Sequence, residues 1–537
     1  MMRAVACISL VALLSGLVFG QSADAQPKAD TSPKFDVADV HVSAKSPNAR
    51  MGGGFLRAGR YEIRKGTMVD LVRLAYGVDA DKVLGGPAWL ETDRFDVIAK
   101  APQSTPPETV KLMLQALLAD RFKLVVHNDS KPMSVFVLSM GKGKPKMKES
   151  EGSGSPDCQG QPQNPQPGVV PLNVVACHNF TMEILAQSLR GMANAYINNP
   201  VVDQTGLKGS WDFEIKWTSR ALLAAAGADG ISIFDAVDKQ LGLKLEPQRV
   251  PQPVIVVDSV NQNPTDNPPG VTQKIPVAPP AEFEVASIKP SMPGAPQNGR
   301  IQNGRVDVQS FPLKTLITAA WEINSDDLIV APKWTESASF DLVAKISSDP
   351  GSANAPQFDD DDLRAMLRAL LIDRFKMKVH MEDRPVSGYV LTAPKPKLQK
   401  ADPQNRMGCK EGPGADGKDP RIANPILSRL LTCQSMTMAR FAELLPQLAN
   451  GYVRTPVLDS TGLDGAYDFT ISFSAVGLLQ GGGGRGGDAP GAAASDPNGA
   501  LSLPDAINKQ FGLKLELQKR PMQVLVIDHV EEKPTEN

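Results

Sequence analysis

Two short blocks of this sequence combine residue types that can do chemistry, and each occurs twice. Asp120-Arg121-Phe122-Lys123 is followed by His127, and Asp373-Arg374-Phe375-Lys376 by His380. An imidazole changes charge near neutral pH and could act as acid or base. A guanidinium could grip a carboxylate or phosphate through two parallel N–H donors. The structural reading is plainer and we weight it more: Asp and Arg bracket a helix end, Phe anchors the next strand, and the His closes that strand beside a carboxylate. Trp89 in Gly-Gly-Pro-Ala-Trp and Trp334 in Val-Ala-Pro-Lys-Trp could stack on a ligand or cap a core. Trp89, Trp334, Arg121 and Arg374 are therefore the candidate ligand-binding residues.

Other patterns read more simply. Asp203, Thr205 and Gly206 recur as Asp459, Thr461 and Gly462. Gly supplies positive φ while Asp and Thr bond the local backbone, so this is a specified turn. A calcium loop would need further oxygen ligands at alternate positions. Asp359 to Asp362 precede a helix, whose positive end favours carboxylates. Gly481, Gly483 and Gly486 satisfy G-x-G-x-x-G without the flanking strand and helix that a phosphate loop needs, so they read as a loop. Neither H-E-x-x-H nor a G-x-S-x-G elbow occurs. No metal, no cofactor and no catalytic residue is expected.

The elements that must carry these residues come in duplicate. LMLQALLADRFKLVVH at 112–127 returns as AMLRALLIDRFKMKVH at 365–380, with 11 of 16 positions identical. Pro200 to Phe213 returns at Pro456 to Phe469, and Lys239 to Glu246 at Lys509 to Glu516. This order defines two modules, 35–264 and 283–537, joined by a Pro-rich linker, 265–282, expected to be extended and semi-rigid. Val110, Met113, Leu114, Leu117 and Leu118 make a helical stripe, as do Leu363, Met366, Leu367, Leu370 and Leu371. Strands are expected at 122–127 and 135–138, with a turn at Lys131-Pro132. A comparable pair is expected at 243–246 and 254–260. The fold class is α+β: two tandem homologous modules, each of about four αββ-like units with antiparallel strands backed by helices. The stretches 149–169 and 477–499 are set aside as loops.

Composition and the N-terminus bound the compartment. A net charge of -2 gives no general attraction to nucleic acid or anionic membrane. Residues 1–25 read as a signal peptide, with Arg3, an apolar run and Ala23-Asp24-Ala25, and no other stretch is apolar enough to span a bilayer. Periplasmic or secreted localisation follows. Cys158, Cys177, Cys409 and Cys433 then suit disulfides rather than zinc. Three pairings are possible, and the repeat favours Cys158–Cys177 and Cys409–Cys433.

Several segments together are recognisable: Phe-Glu-Val-Ala-Ser-Ile-Lys-Pro at 283–290, Gly-Gly-Pro-Ala-Trp at 85–89, the two Asp-Arg-Phe-Lys blocks, and Val-Ile-Asp-His-Val-Glu at 526–531. They resemble the soil-associated protein family, expanded in acidobacterial genomes, across both modules. The first module departs at Asp258-Ser259-Val260, where the pattern has Asp-His-Val. The resemblance implies no particular activity and no catalytic residue. The expectation is an exported, non-enzymatic binding or interaction protein of the cell envelope, its partner an envelope protein or glycan. The rival is an envelope hydrolase using His380 or His529 with Asp373 or Asp528 nearby.

Overall fold

Apolar stripes and capping residues place the helices where the sequence expects them. In a computed structural model, helix Pro107–Arg121 buries Val110, Met113, Leu114 and Leu118. Helix Asp360–Arg374 buries Met366, Leu370 and Leu371 and starts in a capping box between Asp359 and Asp362. The structure describes residues 32–44, 50–151, 154–161, 170–278, 281–346, 358–401, 406–413, 419–424, 426–476 and 499–535. The expected signal peptide, 1–25, and the glycine run from Gly481 lie outside the described residues.

Each module is built from two copies of one smaller motif, so the motif occurs four times. In the first copy its strands are Val37–Val42, Gly52–Arg57, Arg60–Thr67, Val83–Gly85, Arg94–Lys100 and Val125–Met140, with helices Met68–Tyr76 and Pro107–Arg121. Arg94–Lys100 inserts between the first and third strands, giving a four-stranded antiparallel sheet. The same order recurs in sheets drawn from 148–218, 283–346 and 399–473. We number these lobes one to four.

One device repeats in all four. Lys65, Asn179, Ser310 and Ser435 take φ values of 54°, 55°, 60° and 47° at a bulge ending the third strand. Each donates its backbone N–H to an Asp on the inserted strand: Asp96 at 2.7 Å, Asp212 at 2.8 Å, Asp341 at 2.9 Å and Asp468 at 2.6 Å. The bulge aims the chain into the following helix, which Thr67, Thr181 and Thr437 cap in lobes one, two and four.

The long strands decide the architecture of a module. Val125–Met140 pairs antiparallel with Leu243–Ser259, and Lys378–Thr392 with Lys514–His529. At about 3.4 Å per residue each ribbon runs about 50 Å, long enough to serve both lobes. Phe136 and Leu138, from the end of lobe one's strand, enter the core of lobe two. Ile255 and Val257, from the end of lobe two's strand, enter the core of lobe one. Leu391 and the pair Leu525 and Ile527 make the same exchange in the second module.

Mixed α and β structure with antiparallel sheets stands, with sheets dominant. Four αββ units per module do not: there are two larger copies, because the expected turns are absent. Pro132 lies opposite Pro251, and Pro385 opposite Pro521, within continuous strands. The Phe136 N–H bonds outward to the Pro200 carbonyl, so Pro132, an even number of residues away, also faces outward. A proline there removes a donor the ribbon does not use. Within the stretch set aside at 149–169, Asp157–Gly160 is an edge strand of the second sheet. The linker is not simply extended: Asn267 bonds Val40, Asp39 and Arg121, and Val271 is buried.

Both cysteine pairs stand at disulfide distance. Cys158 joins Cys177 and Cys409 joins Cys433, with Cα atoms 4.1 and 4.0 Å apart. Each joins facing residues of a short edge strand and the bulged strand beside it.

Asp96→Ala leaves the Lys65 N–H without its acceptor, so it should cost about 1–3 kcal/mol. Asp96→Asn, which keeps an acceptor, should cost clearly less. Urea unfolding followed by circular dichroism measures both, and equal losses would deny the bulge bond its role.

Candidate functional site

The two modules meet through charged side chains. The acidic run at the start of helix Asp360–Arg374 faces basic residues of the first lobe. Asp359 accepts from Arg64 at 2.7 Å and from the Gly53 N–H at 2.5 Å, and Asp361 pairs with Lys65 at 3.1 Å. Burial works against the Arg64 charge, but Asp359, Asp362, Glu62 and Asp361 together hold its pKa above the ordinary value. Burial and the neighbouring Asp359 raise the pKa of Asp362. The run therefore serves as helix cap and docking surface together; among the described residues no group of His, Cys, Asp and Glu is arranged to hold a metal.

A second contact is more enclosed. Arg406 of lobe four donates to the carbonyls of Val83 at 2.9 Å and Gly85 at 2.8 Å, which lie on the free edge of a short strand. Its Nε also lies 3.2 Å from Glu91, whose Oε1 accepts the Met407 N–H at 3.0 Å. Lys410 pairs with Asp81 at 3.1 Å. Only 9% of the Glu91 side chain is exposed, and its Oε2 is buried without a hydrogen bond. Burial pushes Glu91 up to about 7, against the opposing effects of Arg406 and the Met407 N–H. A third contact joins Arg220 of lobe two to Asp419 at 3.3 Å.

Between these contacts lies a cavity of about 1020 Å³ shared by both modules. Arg50, Arg73, Arg94, Arg249, Arg406, Arg440, Lys131 and Lys410 line it against only Asp70, Asp81 and Glu91, so its walls are net cationic. Met51, Met133 and Met407 add flexible apolar surface, and Asn198, Asn199, Gln434 and Gln447 add amides. Met133 and Ser134 come from the middle of the first ribbon, and Gly408, Cys409 and Lys410 from the edge strand of lobe four.

The residues picked from sequence lie elsewhere. Arg121 is 5% exposed, and its guanidinium donates to the Thr265 carbonyl and hydroxyl, Ala38 and Asn267, so it forms an internal bracket. Arg374 holds the equivalent place, its carbonyl accepting the Thr535 N–H at 2.8 Å just as Arg121 accepts from Thr265. Trp89 packs edge-on against Phe95 at 6.3 Å, and Trp334 packs on the third lobe's core. None of the four lines the cleft. The two tryptophans pack on lobe cores, and Arg121 ties its helix end to Thr265 and Asn267.

The histidines also meet carboxylates on the ribbons. His127 Nδ1 lies 2.9 Å from Asp258, and His380 Nδ1 lies 2.8 Å from Asp528 with Glu382 at 3.7 Å. Asp528, then Glu382, raises the His380 pKa on this exposed surface. Asp373 pairs instead with Lys376 at 3.4 Å. His380 and Asp528 thus come together as the hydrolase expectation requires, but outside the cleft.

Sequence reasoning missed the cleft residues, although a signal exists. They fall where the copies differ in charge: Arg94 precedes Phe95-Asp96 where Ser339 precedes Phe340-Asp341, and Arg440 stands three after Thr437 where Ile184 stands three after Thr181.

Comparison with known proteins adds one finding. A family model described as Protein of unknown function (DUF3738) matches residues 69–260 and 314–530, and the chain belongs to that family through two tandem copies of its domain. No curated protein and no solved structure matches it. Among the described residues, no helix is long and apolar enough to cross a membrane.

The raised pKa of Glu91 predicts a stability that depends on pH. Its folded pKa of about 7 lies above the ordinary 4.5, so its contribution is full below about pH 4.5 and lost as pH rises through 7. The span corresponds to a loss of roughly 3 kcal/mol at most. Glu91→Gln should abolish this component, so its melting temperature relative to the parent's should rise from pH 4.5 to 8. Thermal scans across that range check it, and parallel curves would refute it.

Proposed function

We propose that this double-copy member of the DUF3738 family is an exported, non-enzymatic binding protein of the cell envelope, and that the cleft between its modules is the recognition surface. The observation carrying the reading is the cavity itself: about 1020 Å³, walled by both modules and net cationic. A cavity of that size lies at the upper end of small-molecule pockets, and because both duplicated units wall it, it can admit a segment of a larger partner. Two disulfides fit an oxidising compartment outside the cytoplasm. The partner is an envelope protein or glycan.

The duplication gives the reading a physical basis. One module alone offers a ribbon with one exposed side, whereas two docked modules enclose a volume. Charge contacts at 359–362, at Arg406 and at Asp419 hold the walls in register, which lowers the cost of ordering them on binding.

Ser134 is exposed on the ribbon wall and lines the cleft. Ser134→Trp should block the cleft while leaving the fold intact by circular dichroism. With mature, oxidised protein as bait in solubilised envelope, the parent should retain a component that Ser134→Trp retains at least tenfold less, by quantitative mass spectrometry. Identical retained sets would sink the cleft as the recognition surface.

A further inference from the structure

Resting on the reading of the cleft as the recognition surface, we infer that its occupant is an acidic peptide segment in extended conformation. Arg94 and Arg440 grip its carboxylates, and the main chain of Cys409 pairs with its backbone.

The charge argument starts at Arg94. One of its N–H groups donates to the Lys65 carbonyl at 2.8 Å, and among the described residues no carboxylate forms an ion pair with it. The nearest acids are engaged by others: Glu443 lies 2.6 Å from Arg440, and Asp70 lies 2.9 Å from Arg73. Burial, and then the charge of Arg440 from the other module, lowers the Arg94 pKa. Arg94 and Arg440 thus line one cavity, their mutual repulsion offset in part by Glu443 and Asp70. A carboxylate between them offsets the remaining repulsion and accepts in the bidentate geometry that guanidinium offers.

The backbone argument concerns strand Gly408–Glu411, an edge of its sheet. The Gly412 N–H bonds the Leu430 carbonyl, which makes the pair Cys409 and Cys433, three residues along, a non-hydrogen-bonded one. Their Cα separation of 4.0 Å agrees. The N–H and C=O of Cys409 therefore point away from the sheet, and the residue lines the cleft. The preceding outward N–H, that of Met407, is taken by Glu91 of the first module at 3.0 Å, and Cys409 is the next outward residue of this edge. Adding a strand to such an edge is a recurrent way of binding a peptide. The methionines and amides of the wall suit varied side chains and a peptide backbone, whereas a glycan would favour stacked aromatic faces, and none lines this cavity.

The test uses the purified mature protein and a fluorescein-labelled, end-capped peptide of alternating Glu and Leu, read by fluorescence anisotropy at pH 7.5. The expected result is saturable, salt-sensitive binding. Arg94→Gln and Arg440→Gln should each weaken it by about tenfold or more, since a charged hydrogen bond contributes 1.5–3 kcal/mol. Arg94→Lys should recover part of the loss, which guards against a variant that fails through misfolding. The Gln-for-Glu peptide should bind at least tenfold more weakly, and a peptide N-methylated at alternate residues should lose binding to a similar degree. Undiminished binding by the Arg94→Gln/Arg440→Gln protein would overturn the site. A uronate polysaccharide that binds more tightly with the same arginine dependence would overturn the peptide class in favour of an anionic glycan. If no peptide binds while Ser134→Trp still abolishes envelope retention, the ligand class is wrong and the cleft stands. If neither effect is seen, both fail.

Discussion

The exchange of long strands between lobes is the constraint on which the rest of this structure depends. Each lobe buries the far end of its neighbour's strand: Phe136 and Leu138 cross one way, Ile255 and Val257 the other. Neither lobe closes its core alone, so a module is one cooperative unit although it contains two copies of a motif. The exposed middle of the ribbon is the necessary by-product, a span between cores with solvent on its flanks. The cleft uses this span as one wall, with Met133 and Ser134 facing it.

Docking of the modules follows different physics. The lobe cores are apolar, whereas the contacts between modules are ionic and partly buried. Burial penalises each charge, and the geometry offsets that only where partners are close. At Asp359 the offset is strong, through Arg64 at 2.7 Å. At Glu91 it is incomplete, because Oε2 has no hydrogen bond and the carboxyl is pushed up to about 7. Arg406 nevertheless has main-chain carbonyls as well as Glu91, so it stays anchored when Glu91 is protonated. Docking is thus held at several points, one of which includes a carboxyl of raised pKa.

Duplication and divergence divide the work. Positions kept in all copies are architectural, such as the Asp that receives the bulge N–H and the residue of positive φ after each second helix, Lys123, Gly242, Lys376 or Gly512. Some positions that differ, such as Arg94 and Arg440, face the cleft. Glu91 and Glu336 show how context separates equals: both stand two residues after a Trp, but Glu336 reaches Lys314 at an exposed surface while Glu91 is enclosed by Arg406.

Sequence by itself determined the duplication, the helical stripes, the turn at Asp203 and Thr205, and the grouping of cysteines within modules. All are local or periodic features, set by chemistry within a few residues or by similarity between distant ones. The Asp203 turn, for example, closes on itself through the Thr205 N–H at 2.8 Å and needs no distant partner. The second level of repetition reads from sequence as about four units per module rather than two, because only a few positions mark the true repeat, such as Phe95-Asp96, Trp211-Asp212, Phe340-Asp341 and Tyr467-Asp468. Tertiary structure alone decided that Lys131-Pro132 continues a strand, since whether a proline breaks a ladder depends on which way its nitrogen faces, and that register comes from the opposite strand. It alone decided the cleft as well. Arg94 and Arg440 are far apart in sequence and lie in different modules, and an arginine becomes a cleft-lining group or an internal bracket according to what folding leaves beside it.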